Sequence, residues 1–541
     1  MDQALPYPAP TAPTAPAVPT TPTASTAPTA HAPVAPDNLA PPGAPTPPSA
    51  RTHHPLARLP HAPPHPLRHT ATVLPVVLLL ALLALPVPAG DGSGGTPADA
   101  FSALVVGCAL VHVVRSARRP LTRSAAVVLG LPVVGIAAAA CSSSSAATGI
   151  TGAARYFQVF VLVPAAVLVL IRDARQFRVL AWAFVGLALF QGALGVHQNL
   201  TGTGASYMGA DIRAVGTFGP SDVMGMATVV SYGLIASLAL AFRPHAPRQR
   251  AAALTCAGLL TVPLALSFSR GAWIATVAAC GVVLLLAGVR HALRAALVAT
   301  AAGVVLVAGL GLGSQLLQDR LTSITDVTDA PDQSVTDRYA MWAASVDMWR
   351  DHPVTGVGLK GFPEHRDSHA SLALSSGSDT AGAGAEFRRQ PLLSPHNMYL
   401  LVLSEQGLIG LLTLAGGWLA LLVCALRGWA RVRVRRGHAG DGPGGARLDC
   451  ALAACGLLVW QLVDFMYADI GGPSTVLTAV ALGGCAWWAL RGRGEHEGGA
   501  DGMACAAGAS CATGSAYEGN SAYGSGSSYE TDASRPVAGA R

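Results

Sequence analysis

Residues 252–289 read AALTCAGLLTVPLALSFSRGAWIATVAACGVVLLLAGV, and the only charged side chain in this stretch is that of Arg270. A helix needs about 20 predominantly apolar residues to cross the hydrocarbon core of a bilayer. The stretch therefore predicts two consecutive transmembrane helices, over 252–268 and 272–289. A charge at membrane depth costs about 2.5–3.5 kcal/mol on insertion scales, so we expect Arg270 at the membrane surface, where its presence needs an explanation.

The whole chain shares this apolar composition. Of its 541 residues, 51% are hydrophobic and 12% are charged, whereas soluble domains carry about 25% charged residues. These values exclude a water-soluble globular enzyme. The net charge of +6 comes mainly from arginines clustered between apolar segments, which is typical of membrane orientation and not of a nucleic-acid surface. The ten cysteines form no Cys-x-x-Cys pair, so we expect neither a zinc site nor a disulfide framework.

Outward from residues 252–289, the sequence predicts about twelve apolar segments between two polar tails. They lie over 71–89, 100–114, 125–140, 156–171, 179–195, 223–242, 252–268, 272–289, 295–316, 398–426, 449–467 and 471–490. Residues 1–70 are rich in Pro, Ala and Thr, and the compositions of 1–70 and 491–541 predict disordered tails.

The expected fold class is therefore an all-α membrane protein with about twelve transmembrane helices. Helices 1–9 are expected over 71–316 and helices 10–12 over 396–490. One large loop, over 317–395, separates them and is expected to carry an amphipathic helix.

The arginines also predict the orientation, because short loops rich in Arg lie on the cytoplasmic side. One alternate set of loops holds Arg115, Arg118, Arg119, Arg123, Arg172, Arg175, Arg178, Arg243, Arg248, Arg250, Arg290, Arg294, Arg427, Arg431, Arg433, Arg435, Arg436, Arg447, Arg491 and Arg493. The other set holds Asp91, Asp99, the Ser-rich 141–155 stretch, Asp211, Asp222, the 317–395 loop, Asp464 and Asp469. We therefore expect both termini in the cytoplasm and the large loop outside the plasma membrane.

Two arginines on the predicted outer side indicate an anion site. Arg270 precedes a predicted helix, and Arg338 lies near the start of a stretch in which Met341, Trp342, Ser345, Met348 and Trp349 recur at helical spacing. A cation in the first turn of a helix opposes the helix dipole, so neither arginine is there to stabilise its helix. The alternatives are a snorkelling Arg270 and a solvated surface Arg338.

A histidine and a turn-rich loop complete the candidate residues. His396 and Asn397 precede the tenth segment, and Gly407 is expected about three helical turns below His396, where glycine lets a neighbouring helix approach. A histidine of ordinary pKa, about 6.5, can act as a general base, or it can simply make one interfacial hydrogen bond. Residues 213–222 predict a loop that shapes a sugar pocket or merely connects two helices.

Taken together, these stretches resemble the O-antigen ligase and polymerase superfamily of multi-pass membrane glycosyltransferases. The resemblance is strongest over 210–412. It rests on Gly216-Thr217-Phe218-Gly219-Pro220, Ser269-Arg270-Gly271-Ala272-Trp273, Arg338-x3-Trp342 with His352-Pro353-x2-Gly356-x-Gly358, and His396-Asn397-x9-Gly407-x2-Gly410. Ser221 and Asp222 depart from the pattern, since many relatives carry Asn there.

The resemblance implies transfer of a polyprenyl-pyrophosphate-linked oligosaccharide to a hydroxyl of a glycan or another acceptor, outside the membrane and without a metal or other cofactor. It implies that Arg270 and Arg338 hold the pyrophosphate and that His396 is the base. Substrate contacts are expected from Arg213, Asn397 and Thr217. The expected partners are the donor, the acceptor and the lipid bilayer, with other polysaccharide-assembly membrane proteins as candidates and no nucleic acid.

Other function classes remain open at this point. The acceptor hydroxyl could belong to a protein, or the chain could be a polytopic transporter or flippase, and a scaffold is a weaker alternative. Transporters often show internal repeats and broken helices with polar groups at mid-membrane. The sequence shows no obvious repeat, and its informative polar residues collect at one face, which favours a surface-facing active site.

Overall fold

A helix occupies each of the twelve predicted apolar segments in the computed structural model. The structure describes residues 71–86, 96–116, 121–207, 213–222, 224–309, 333–372, 374–375, 378–382, 388–390, 392–439, 447–472 and 474–491. Its helices are α1 (Leu74–Leu82), α2 (Pro97–Arg115), α3 (Arg123–Cys141), α4 (Ala146–Leu170), α5 (Ala174–Thr201), α6 (Gly225–Leu240), α7 (Pro247–Leu266), α8 (Arg270–Ala287), α9 (Val289–Gly309), α10 (Gln333–Asp351), α11 (Phe362–His369), α12 (Met398–Ala439), α13 (Leu448–Asp464) and α14 (Thr475–Arg491).

Seven of the described helices are long and apolar enough to cross a membrane: α2, α3, α4, α5, α7, α8 and α12. Two more, α6 and α14, are apolar but shorter. The prediction of a mostly helical, multi-pass membrane protein is confirmed at this level, whereas the total of twelve spans stays a prediction. The predicted tails, 1–70 and 492–541, lie outside the described residues.

A small antiparallel sheet departs from the all-α expectation. Strand β1 (Ala205–Tyr207) pairs with β2 (Ser378–Gly382), and β2 pairs with β3 (Arg388–Gln390). Ser206 lies opposite Ala381 in the register. The strands connect the segment after α5 with the 317–395 stretch. Their short polar sequences show no apolar alternation, the usual signal of a half-buried strand.

The Ser-rich 141–155 stretch was predicted as a loop, and most of it is helical. Helix α4 begins at Ala146, where the Ser145 hydroxyl accepts a hydrogen bond from the Thr148 N–H at 3.2 Å. This N-cap satisfies one of the free donors of the first turn. The prediction failed because Ser is common both in loops and at caps. The loop is reduced to residues 142–145.

Gly407 breaks α12 instead of lying beneath His396 on a continuous helix. Its backbone has φ 63° and ψ −162°, values that divide α12 into a short first part and a long second part. The helix begins only at Met398, so His396 lies outside it. The expected stacking of Gly407 under His396 is therefore wrong. Gly410 does permit a close helix approach, since a Cβ on Gly135 of α3 would lie 2.6 Å from its Cα.

Residues 353–358 fill the break in α12. The N–H groups of Val357 and Gly358 donate to the carbonyls of Ser404 and Glu405 at 2.9 and 3.0 Å. On the other side of the break, the N–H groups of residues 408 and 409 donate to the carbonyls of residues 353 and 354 at 3.0 and 3.3 Å. These bonds replace helical bonds lost at the break, which a buried backbone requires.

Helix α13 lies at the centre of the bundle. Nearly all of its residues from Leu448 to Asp464 are buried, as expected for a helix that is apolar on all sides. It packs against α6, α8, α12 and α14. The neighbouring helices hold α13 in place. They therefore also determine where the following loop, residues 465–474, contacts the ends of the other helices.

Replacing Gly407 by alanine should destabilise the protein by at least about 1–2 kcal/mol, the cost of left-handed backbone for a residue with a Cβ. The added Cβ would also overlap the Val354 carbonyl. Thermal unfolding in detergent, followed by circular dichroism, measures the effect. Gly416→Ala is the matched control, since nothing lies within 4 Å of a Cβ at that helical position. An equal melting temperature for both variants would contradict the proposed importance of the break.

Candidate active site

The ends of several helices meet on the loop between α13 and α14, residues 465–474, which we call the α13–α14 loop. The Met398 N–H, at the start of α12, donates to the carbonyls of Phe465 and Ala468 at 2.8 and 3.1 Å. The Ser474 N–H donates to the Asp222 carboxylate at 2.9 Å, which connects the loop to residues 213–222. The motif residues of α12, and residues 213–222 ahead of α6, therefore lie at one end of the bundle.

His396 has a strained backbone beside this loop. Its φ is 49°, in the left-handed region that few non-glycine residues adopt. Its side chain is 46% exposed, and its Nδ1 lies 4.0 Å from Oδ2 of Asp469. Burial lowers the pKa of His396, Asp469 raises it, and Arg338 lowers it, with a net downward shift. Because the net shift is downward from 6.5, the imidazole is mostly neutral at pH 7.

Asp469, on the α13–α14 loop, is the nearest described acidic partner of this histidine. Its carboxylate is 6% exposed and accepts a hydrogen bond from the Ser394 hydroxyl at 2.5 Å. Ser394 lies two residues before His396, so one carboxylate holds the segment and faces the imidazole. A carboxylate in this position favours the tautomer with the proton on Nδ1, which leaves Nε2 as the basic nitrogen.

Arg338 lies on the partly buried side of α10, next to the same loop. Its Nη1 approaches the Tyr467 carbonyl at 3.5 Å, the upper limit for a hydrogen bond. Burial lowers the pKa of Arg338, the charge of Arg213 lowers it further, and Asp469 opposes both effects. Two guanidinium groups, of Arg213 and Arg338, are thus close enough to repel each other. Guanidinium groups are the side chains best suited to bind a phosphate oxygen.

Arg213 is positioned by its backbone. Its N–H donates to the Ala205 carbonyl at 2.6 Å, and the Ala205 N–H donates back to the Arg213 carbonyl at 2.9 Å. These bonds form a β-bridge beside β1. The charge of this side chain is one cause of the lowered pKa of Arg338.

Arg270 is the first residue of α8, and Ser269 caps that helix by accepting from the Ala272 N–H at 3.3 Å. Gly271 packs on Tyr467, since a Cβ there would lie 2.7 Å from the tyrosine Cβ. Both Arg270 and Arg338 therefore flank the same residue of the α13–α14 loop. The side chain of Arg270 is exposed, and we find no hydrogen bond or ion pair for it among the described residues.

Asn397 and Thr217, the other predicted substrate contacts, use their side chains inside the protein. The Asn397 Oδ1 accepts from the N–H groups of Tyr399 and Leu400 at 3.0 and 3.1 Å, as the N-cap of α12, and its Nδ2 donates to the Met466 carbonyl at 3.1 Å. The Thr217 hydroxyl accepts from Gln191 Nε2 at 2.6 Å and approaches the Leu83 carbonyl at 3.3 Å. The structure does not bring Thr217 together with His396, and it uses Asn397 to position the histidine.

The arrangement suits a reaction that combines an anionic leaving group with proton removal. Guanidinium groups bind phosphate oxygens through several parallel donors. A neutral imidazole accepts a proton near neutral pH. Among the described residues, no group of three His, Cys, Asp or Glu side chains is arranged to hold a metal ion.

Sequence reasoning missed the α13–α14 loop and Asp469. In the sequence, Asp469 was used only to predict which loops lie outside the membrane. Two signals pointed further: Asp464 and Asp469 lie at the end of a long apolar segment, and they lie on the same predicted side as the arginine and histidine motifs. The contact of Asp469 with His396 joins residues that are far apart in the chain, and no local pattern encodes it.

Comparison with known protein families gives a match over part of the chain. Residues 255–415 match the family model described as O-Antigen ligase. The matched segment contains Arg270, Arg338 and His396, whereas Arg213 and Asp469 lie outside it. No curated protein matches the chain. The match supports the resemblance to the O-antigen ligase/polymerase superfamily over residues 255–415.

Proposed function

We propose that this protein transfers a glycan from a polyprenyl-pyrophosphate donor to an acceptor hydroxyl, polymerising or ligating oligosaccharide units of a cell-surface polysaccharide. One observation carries the proposal. The α13–α14 loop gathers the guanidinium of Arg338 and the imidazole of His396 around one carboxylate, Asp469. The family match supports a membrane glycosyltransferase of the O-antigen ligase type. The positive-inside pattern supports a site on the outer face of the plasma membrane.

The pyrophosphate is the part of the donor that the arginines would bind. The charge of Arg213 lowers the pKa of Arg338, and the negative charge of a bound diphosphate would oppose that effect. Arg270, exposed at the start of α8, is free to reach the second phosphate. Cations fixed before the reaction stabilise the negative charge that develops on the leaving group, which lowers the barrier to its departure.

His396 would remove the proton from the acceptor. As the acceptor oxygen bonds to the anomeric carbon, the bond from that carbon to the pyrophosphate oxygen breaks, and its electron pair leaves with the lipid pyrophosphate. The hydroxyl proton passes to Nε2 of His396, while Asp469, near Nδ1, stabilises the imidazolium that forms. No further reactant is needed. The neutral resting state of the ring is the form this step requires.

A transporter or flippase is the alternative from another class. The break at Gly407 is a feature that transporters share. However, residues 353–358 fill that break with backbone hydrogen bonds. The charged residues collect instead at the end of the bundle. This arrangement favours chemistry at one surface.

Substitution of Arg270, Arg338 or His396 by alanine should each lower polymer formation by at least about 100-fold, the usual contribution of a general base or of one electrostatic donor. Surface glycans are analysed by gel electrophoresis, and membrane levels of each variant by immunoblot. Arg350→Ala is the matched control, because that exposed arginine lies on the same helix as Arg338. Normal polymer from all three variants would exclude the proposed roles.

The pH profile tests the base. Since the net shift lowers the pKa of His396 below its ordinary value of 6.5, turnover should stay constant from pH 8 to about 6.5 and fall only at lower pH. Asp469→Asn removes the charge that raises this pKa, so the acidic limb should move to still lower pH as turnover drops. The amide oxygen can still accept from Ser394. An unchanged acidic limb in Asp469→Asn would show that this carboxylate does not affect the pKa of the titrating group.

Activity in detergent micelles distinguishes the two classes. Purified protein, incubated with undecaprenyl-pyrophosphate-linked glycan extracted from the cells that make it, should yield longer or newly attached glycan chains. Transport requires two compartments, whereas glycosyl transfer does not. His396→Ala serves as the inactive control. Substrate movement in vesicles with no product in micelles would favour the transporter.

A further inference from the structure

An exposed aromatic side chain lies on α10 next to Arg338 in the chain. Tyr339 is 62% exposed and directly follows Arg338 on α10. Ala343, Asp347 and Arg350, at helical spacing from Tyr339, are exposed as well. Because Asp347 and Arg350 are charged, this face of α10 is in contact with water and not with lipid tails. A large aromatic ring in water leaves apolar area unburied, which costs about 25 cal/mol for each Å².

Tyr339 belongs to an ordered aromatic pair. Its ring meets that of Trp342 edge to face, with centroids 5.6 Å apart and an interplanar angle of 88°. The indole N–H of Trp342 donates to the Pro395 carbonyl at 2.9 Å. Pro395 immediately precedes His396, so Trp342 holds the pair beside the segment that carries the proposed base.

We infer that the Tyr339–Trp342 pair is a sugar subsite, on which a glycan ring of the substrate stacks. This inference rests on the proposed function and extends it from the reacting groups to the carbohydrate. The faces of sugar rings carry apolar C–H groups, and aromatic side chains bury such surface at low cost in conformational entropy. The glycan must extend away from the bond between the sugar and the pyrophosphate. The aromatic pair, held beside the His396 segment through Trp342, is placed to meet it.

The position of the pair favours a sugar over a lipid chain as its occupant. A polyprenyl chain would seek the apolar sides of the bundle, whereas this face also presents Asp347 and Arg350. The hydroxyl of Tyr339 can add a hydrogen bond to a sugar hydroxyl, whereas a hydrocarbon offers it no partner. An interfacial anchor is the other role in which Tyr is enriched, and the experiment below separates the two.

Binding of two lipids that differ only in the sugar tests the subsite. Undecaprenyl pyrophosphate is compared with the undecaprenyl-pyrophosphate-linked glycan extracted from the host cells, each titrated against the full-length protein in detergent. Tyr339→Ala should weaken binding of the glycan-linked lipid about tenfold and leave binding of the bare lipid within about twofold, since tenfold corresponds to about 1.4 kcal/mol. Tyr339→Trp, which keeps an aromatic face, should restore most of the loss.

Controls separate the subsite from the proposed function. Leu372→Ala removes another exposed apolar side chain and should change neither affinity, while Arg338→Ala should weaken both lipids. Equal losses for the two lipids in Tyr339→Ala, or no loss, would overturn the sugar subsite and leave the proposed function in place. Failure of the unaltered protein to bind either lipid would overturn both.

Discussion

The structure depends on how the backbone is satisfied where α12 is broken. A helix normally pairs each N–H with the carbonyl four residues earlier, and a break leaves such groups without partners. Residues 353–358 supply these partners on both sides of Gly407. Glycine is required at the contact because its φ is positive and because a Cβ would overlap the facing chain. The bonds thus join the helix that follows His396 to the segment that follows α10.

Two proposed reacting groups are therefore positioned by one assembly. Helix α10 carries Arg338, and its chain continues directly into the residues that fill the break. The first part of α12 is preceded by Asn397 and His396, and it is tied to the α13–α14 loop by the Met398 N–H. The elements that carry Arg338 and His396 are therefore connected to each other by backbone hydrogen bonds. A group that must act on a bond between sugar and phosphate requires such fixed geometry.

Much of the helical organisation could be predicted because hydropathy is a local property. The segments around Arg270 are examples, since a run of apolar residues determines a helix without reference to its partners. The break at Gly407 could not be predicted, because glycine is also common in packed membrane helices. Its neighbour, Gly410, does have the packing role that the sequence suggested.

Part of the candidate site was also predictable, because charged residues next to apolar segments can be recognised locally. Arg270, Arg338 and His396 were recognisable, since a charge beside an apolar segment needs an explanation. Asp469 was not, because its significance arises from a contact across the bundle. Asn397 was recognised as a candidate residue, but its role as the N-cap of α12 was not predicted. Asn is a preferred N-cap residue, and its position immediately before an apolar helix was the signal for that role.

The path of the chain sets an order for assembly during synthesis. Residues 353–358 are translated before α12. Their backbone N–H and carbonyl groups therefore stay hydrated until their hydrogen-bond partners in α12 have been made. At that stage the α13–α14 loop is still missing from the candidate site. The carbonyls that receive the Met398 N–H belong to residues 465 and 468, which are translated near the end of the bundle. In a nascent chain, the contact between Asp469 and His396 can therefore form only after α13 has been synthesised.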